Sequence, residues 1–153
     1  MPSFRNDAER SLTISREIDA PRELVWEAFT NPEHLVHWWG PDGFTNTFHE
    51  IAVRPGGVWR FMMHGPDGTD YPNRIVFLEV TKPERLVYDH DGDDSDKDHR
   101  FRSTVTFEER DGRTTVTLHS VFERQSDYDM ATKYAIQGGE QTLGRLAAHV
   151  AGM

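Results

Sequence analysis

The sequence predicts an α+β fold in which a curved, seven-stranded antiparallel sheet wraps around one long C-terminal helix. Two observations carry this prediction. The middle of the chain alternates apolar and polar residues between short turn signals, which is typical of antiparallel strands. Residues 126–150 instead place apolar side chains at three- and four-residue steps, which indicates a helix spanning about 36 Å.

The first elements are a strand and a pair of helices. Residues 11–18 alternate as a strand does. Pro21 then suits a first helical turn, and apolar residues recur after it at helical spacing. Asn31 and Pro32 end this helix, and a second short helix is expected to run through Trp38. The helix pair should close one end of the sheet.

Six further strands follow, separated mostly by tight turns that contain Gly, Pro and Asp. An antiparallel sheet must cover its apolar face, and the C-terminal helix is the element long enough to do so. We therefore expect a space between the sheet and this helix. The predicted strands are 47–53, 58–64, 71–80, 85–90, 101–109 and 114–122.

Length and composition limit the classes of function. A chain of 153 residues favours one domain, and we predict a flexible tail at 1–10 before a single domain at 11–153. A net charge of −9 leaves no basic face for a nucleic acid or an anionic membrane, and no apolar run is long enough to span a bilayer. The absence of cysteine excludes disulfides and thiolate chemistry. We expect a cytoplasmic protein without nucleic-acid or membrane partners.

The pair Trp38-Trp39 precedes a Gly-Pro turn at the junction between the helix pair and the sheet. Tryptophan is costly to expose, and its ring NH needs a partner when it is buried. We expect Trp38 to plug the space between helix and sheet and Trp39 to form a lid at the mouth of a pocket.

Strand alternation assigns the residues that face the predicted space. On the third strand Arg60 should face water, so Trp59, Phe61 and Met63 should face inward. The resulting wall is mostly aromatic with a few polar groups, which is the usual composition of a small-molecule site. The candidate ligand-binding residues are Trp39, His49, Trp59, Phe61, Met63, Tyr88, His90, Phe101, Ser103, Tyr134, Gly138 and Gly139.

Motifs for catalysis, metals and cofactors are weak or absent. His34 and His37 lie at a helical spacing that a metal could use, but no third ligand follows, so no metal is predicted. The acidic segment 89–99 lacks the glycine and glutamate that a calcium-binding loop has at its sixth and twelfth positions. We interpret it as a solvated hairpin loop. The sequence has no nucleophile elbow, P-loop or dinucleotide fingerprint. We therefore predict no catalytic residue and no cofactor.

Four segments carry a resemblance to a known family: APRELVWEAFTNPEHLVHWWGP, VRPGGVWRFMMHGPDG, EVTKPERLVYD and GGEQTLGRLAAHV. They resemble, in order, motifs of the SRPBCC superfamily, whose START and Bet v 1-like members have the helix-grip fold. More narrowly, the chain resembles the subfamily named for the activator of the heat-shock-protein-90 ATPase. The resemblance covers residues 11–150 and implies the same helix-grip fold.

One departure from this subfamily concerns the closing helix, which usually has Gly-Trp where this chain has Gly138-Gly139. The resemblance implies that a tryptophan that would fill the cavity is absent. We expect Gly138 to let the helix press close to the sheet and Gly139 to enlarge the pocket.

Three functions remain open at this point. The first is a binding domain for an apolar, aromatic or lipid-like small molecule, with His49, Tyr88 and His90 as polar anchors. The second is an enzyme, such as a cyclase, dehydratase or hydrolase, which needs His49 to converge with His90 or Tyr88. The third, which the resemblance implies, is a chaperone-regulating or other protein-partner module. A homodimer also stays open.

Overall fold

The structure, a computed structural model, describes residues 10–91 and 101–153, without the side chains of residues 130, 131 and 133–135. Nearly all of the predicted tail at 1–10 and most of the acidic segment lie outside this range, so both stay predictions. The elements are β1 (Ser11–Ile18), α1 (Arg22–Thr30), α2 (Pro32–Trp38), β2 (Thr45–Ile51), β3 (Val58–His64), β4 (Asp70–Thr81), β5 (Arg85–Asp91), β6 (Phe101–Arg110), β7 (Arg113–Phe122) and α3 (Gln125–Ala151).

The seven strands form one antiparallel sheet in the order β1-β7-β6-β5-β4-β3-β2. Strands adjacent in the chain pair with each other from β2 onward, and β1 joins the far edge by pairing with β7. This arrangement confirms the predicted fold class, with element bounds within two residues of those expected. Among the described residues, no helix is both long and apolar enough to cross a membrane.

The helix pair covers one end of the sheet. Asn31 separates the two helices, and its side-chain oxygen accepts a hydrogen bond from the Glu33 backbone amide at 3.0 Å, which caps α2. The buried face of α1 presents Trp26 and Phe29 to Phe107 on β6, with ring centroids 5.3 and 5.5 Å apart. These edge-to-face contacts fix the helix pair on the sheet.

Helix α3 crosses the apolar face and contacts β1 more than any other strand. Its C-terminal half buries Leu143, Leu146 and Val150, as the predicted stripe requires. The three- and four-residue spacing predicts that Ile136 lies on the same buried stripe, but 41% of its surface is exposed, so that part of the prediction is wrong.

The guanidinium of Arg145 on α3 ties this helix to the chain that leaves α2. Nη1 donates to the carbonyl oxygens of Gly40 and Pro41 at 2.8 and 2.9 Å, with a longer contact to Trp39 at 3.4 Å. Nη2 donates to the carbonyl of His37 at 3.1 Å. The His37 and Trp39 carbonyls lie at the C-terminus of α2, where carbonyls lack intrahelical partners and carry partial negative charge, so a cation satisfies them well. We call these contacts the Arg145 clasp.

We expect Arg145→Met to lower the free energy of unfolding by about 1–3 kcal/mol, because partly buried carbonyls lose a charged donor. The matched control is Arg113→Met, since Arg113 makes exposed ion pairs with Glu17 and Asp19 and should contribute less than about 1 kcal/mol. Urea denaturation followed by tryptophan fluorescence measures both. Equal losses in the two variants would contradict a stabilising role for the clasp.

Candidate functional site

A cavity of about 380 Å³ lies between the apolar face of the sheet and α3. This volume falls within the range of small-molecule sites. Its walls come from β3, β5, β6 and β7, from α3, and from the end of the helix pair with the turn that follows it. The side chains on these walls are predominantly apolar.

Five residues predicted from strand alternation line this cavity. Strands β5 and β6 pair without a bulge, so the alternation holds along both. Tyr88 and Ser103 are buried, and the other residues are partly buried around the cavity. The five residues are Met63, Tyr88, His90, Phe101 and Ser103.

Trp59 and Phe61 face inward as predicted but do not line the cavity. Their rings stack on each other with centroids 4.3 Å apart, and both residues are buried. The Trp39 ring packs on the rings of Trp59 and Phe61, with centroid distances of 4.9 and 6.2 Å. Trp39 itself lines the cavity. Trp59 and Phe61 therefore form the core that supports Trp39 rather than part of the cavity wall, and their predicted contact with a ligand stays a prediction.

The prediction that His49 faces the pocket is wrong. Phe48 pairs with Phe61, whereas Glu50 pairs with Arg60, so a β-bulge falls at His49. One extra residue in a strand shifts the alternation by one position. Phe48 therefore packs on Trp59, with centroids 5.1 Å apart, and His49 is exposed. The catalytic pair that required His49 is not formed.

The two adjacent tryptophans have different roles. Trp38 is 1% exposed, and its ring NH donates to the Ala28 carbonyl at 2.9 Å while its ring packs on Phe29. It is the structural plug that was predicted, and it also contributes to the cavity wall. Trp39 lines the cavity beside Gly40 and Pro41, in the chain segment that the Arg145 clasp holds.

Gly138 and Gly139 both border the cavity, and a Cβ atom would meet different neighbours at the two positions. A Cβ atom at Gly139 would collide with the side-chain tip of Ile14 on β1, so this glycine permits the close approach of α3 to the sheet. A Cβ atom at Gly138 would lie at an ordinary 3.4 Å from Pro41 Cγ. The absence of a side chain at Gly138 is therefore what leaves volume beneath the turn.

Several lining residues were missed by the sequence reasoning. Leu118 and Ser120 lie on β7, where alternation with the core residue Val116 could have identified them. Thr142 also borders the cavity, and its hydroxyl donates to the Gly138 carbonyl at 2.8 Å within α3. The side chain of Tyr134, which was predicted to contact a ligand, lies outside the described side chains.

Three residues that carry a hydroxyl group line the cavity from the neighbouring strands β5, β6 and β7. Tyr88 pairs directly with Ser103, and Ser103 pairs with Ser120. The two serine oxygens are 2.9 Å apart and share a hydrogen bond. Burial raises the pKa of Tyr88 well above its usual value, so the phenol stays protonated. We call Tyr88, Ser103 and Ser120 the hydroxyl row.

His90 borders the cavity as a neutral imidazole. Its Nε2 lies 2.8 Å from Asn73 Oδ1, and Asn73 Nδ2 donates to the Tyr71 carbonyl at 2.9 Å. Because the amide orientation is fixed in this way, Nε2 carries the proton and Nδ1 is the acceptor nitrogen. Burial lowers the pKa of His90 to about 4, against a smaller opposing effect of the Asp91 carboxylate.

A smaller chamber of about 180 Å³ adjoins the main cavity near β1. The two spaces share the lining residues Phe101, Leu118, Ser120 and Gly139. The other walls of the chamber are the apolar side chains of Leu12, Ile14 and Phe122. One end of the hydroxyl row, Ser120, therefore borders both spaces.

Three histidines meet on the outside of the molecule, where α2 contacts the end of α3. His34 Nδ1 lies 2.9 Å from His149 Nε2, and the His37 ring stacks on His149 with centroids 5.8 Å apart. Burial, followed by the nearby His34 and His37, lowers the pKa of His149. Within residues 10–91 and 101–153, no group of side chains is arranged to hold a metal ion.

Solved structures share this fold over nearly the full chain. A protein from Arthrobacter aurescens, solved by NMR, superposes with a TM-score of 0.85 and 27% identity, covering 94% of this chain and 87% of that one. A crystal structure from Nitrosomonas europaea gives a TM-score of 0.83 at 25% identity, covering 95% and 96%. One from Mycobacterium smegmatis gives 0.82 at 26% identity, covering 93% and 91%.

No curated protein is significantly similar to the chain. One family model matches it over residues 19–151, from the end of β1 through α3, and is described as activator of Hsp90 ATPase homolog 1-like protein. This match includes every wall of the cavity, together with the Arg145 clasp and the hydroxyl row. The chain therefore belongs to the family of activator of Hsp90 ATPase homolog 1-like proteins.

Proposed function

We propose that this protein is a binding domain that holds a small apolar or aromatic molecule in the cavity between the sheet and α3. The observation that carries the proposal is the cavity itself, about 380 Å³ in volume with aromatic walls and few polar groups. An interior packed to normal density leaves few voids larger than a water molecule. An opening of this size favours a ligand over a packing defect.

The support around the cavity also favours binding. Trp39 is backed by Trp59 and Phe61, and the turn beside it is held by the Arg145 clasp. A wall that is already in place loses little conformational entropy when a ligand arrives, which favours affinity.

A catalytic function has less support from the same residues. General acid–base catalysis is most efficient when the pKa of the catalytic group lies near the working pH. The pKa of His90 is about 4, and His49, its proposed partner, is exposed on β2. The family description raises the separate hypothesis of a chaperone partner, which does not account for the cavity.

We expect the neutral dye N-phenyl-1-naphthylamine to bind with enhanced fluorescence and Gly138→Leu to weaken this binding at least tenfold. The added side chain would fill space beneath Pro41, while replacing glycine in a helix by leucine should not reduce stability. Fluorescence titration measures the affinity, and thermal unfolding measures the stability.

The control for this experiment is Gly144→Leu, which makes the same chemical change on α3. A Cβ atom there would lie 3.8 Å from the Arg16 guanidinium and away from the cavity lining. We expect this variant to bind the dye as the original protein does. If the dye fails to bind, or binds equally to Gly138→Leu, the proposed use of the cavity is wrong.

We expect His90 to make folding stability fall as the pH is lowered from 6.5 to 4. In this interval the unfolded chain takes up a proton on His90 that the folded chain excludes, so stability present above pH 6.5 is lost, by about 3 kcal/mol. His90→Gln cannot titrate and should show a correspondingly shallower decline. Urea denaturation at a series of pH values measures both proteins, and parallel profiles would contradict the buried neutral state of His90.

A further inference from the structure

The hydroxyl row has hydrogen-bonding capacity that it does not use internally. Tyr88, Ser103 and Ser120 contribute three O–H donors, and the bond between the two serine hydroxyls uses one of them. At least one O–H donor therefore remains for a group outside the row, together with unused oxygen lone pairs, even if Tyr88 and Ser103 also bond to each other. Because the row lies on the cavity wall, a ligand in the cavity is placed to use this capacity.

Two other polar side chains of the wall already have hydrogen-bond partners. The Thr142 hydroxyl donates to the Gly138 carbonyl at 2.8 Å, and His90 Nε2 donates to Asn73 at 2.8 Å. The hydroxyl row is thus the group of the described lining that has an O–H donor to offer. In an apolar cavity such a donor fixes the orientation of a ligand.

Charge complementarity for an ionic ligand is missing from the described wall. This lining contains no aspartate, glutamate, lysine or arginine side chain. Tyr88 and His90 are both uncharged at neutral pH, as their shifted pKa values require. The nearby guanidinium of Arg145 is occupied by the carbonyls of the clasp. A buried carboxylate or ammonium would lose its hydration without gaining a counter-charge, which is costly.

We propose that the cavity takes an uncharged ligand with an apolar, ring-containing body and one hydroxyl or carbonyl oxygen, and that this oxygen binds the hydroxyl row of Tyr88, Ser103 and Ser120. This inference rests on the proposed function and makes its ligand class specific. Aromatic side chains border the main cavity, and the adjoining chamber extends the apolar space beyond Ser120. The polar atom of the ligand therefore sits at the sheet while its body fills the space under α3.

The test uses three probes with one carbon skeleton: 1-methylnaphthalene, 1-naphthalenemethanol and 1-naphthoic acid. Each competes with the bound dye at pH 7.5, where a carboxylic acid with a pKa of about 4 is ionised. We expect the alcohol to bind at least tenfold more tightly than the acid, because only the acid must bury an uncompensated charge.

The double variant Ser103→Ala and Ser120→Ala tests the assignment to the row. We expect it to weaken binding of the alcohol about threefold to tenfold, the effect of a lost hydrogen bond, and to leave 1-methylnaphthalene within about twofold of its original affinity. Ser15→Ala, an exposed serine on β1, is the control and should change neither affinity. Thermal unfolding of each variant verifies that it is folded.

The outcomes separate this inference from the proposal on which it rests. If 1-methylnaphthalene displaces the dye but the acid binds as tightly as the alcohol, the neutral ligand class is wrong and the binding function stands. If the alcohol and 1-methylnaphthalene lose affinity equally in the double variant, or neither loses any, the role of the hydroxyl row is overturned. If the dye does not bind at all, both proposals fail.

Discussion

The guanidinium of Arg145 joins the two parts of the molecule that enclose the cavity. A planar fork of donors suits this position, because it satisfies several carbonyls that point in nearly the same direction. A further hydrogen bond, from the Asp42 amide to Gln141 Oε1 at 3.2 Å, joins α3 to the same turn after α2. Trp39, the turn that follows it and helix α3 are thus held together at one point on the wall of the cavity.

Beside the cavity, a layer of aromatic rings forms the packed core. Trp39 rests on Trp59, which in turn packs on Phe48 and Phe61, and Phe29 bridges Trp38 and Phe107. Large rigid rings lose little side-chain freedom when they are buried, and their edge-to-face contacts resist collapse into a neighbouring void. The void and its polar floor therefore coexist with a well-packed wall.

The architecture was predictable because turns and alternation are local properties of the chain, and the hydroxyl of Ser103 and the phenol of Tyr88 were found by the same logic. Leu118 and Ser120 were missed although local alternation identifies them, whereas the wrong predictions for His49 and Trp59 involve contacts between distant segments. The bulge at His49 depends on how Phe48 packs across the sheet, and the withdrawal of Trp59 from the cavity depends on the position of Trp39. The clasp was missed because an arginine that binds backbone carbonyls needs no particular partner residues and leaves no motif.

The contact between Gly139 and Ile14 has a consequence for how this cavity can change in size. At this point α3 approaches β1 so closely that a Cβ atom on Gly139 would require the tip of the Ile14 side chain to move. A bulkier pair at these positions would push α3 away from β1, while the contacts of Arg145 hold the helix further along its length. The cavity would then widen near β1 with the hydroxyl row unchanged. The volume of the cavity and its preference for the chemistry of a ligand therefore depend on different residues.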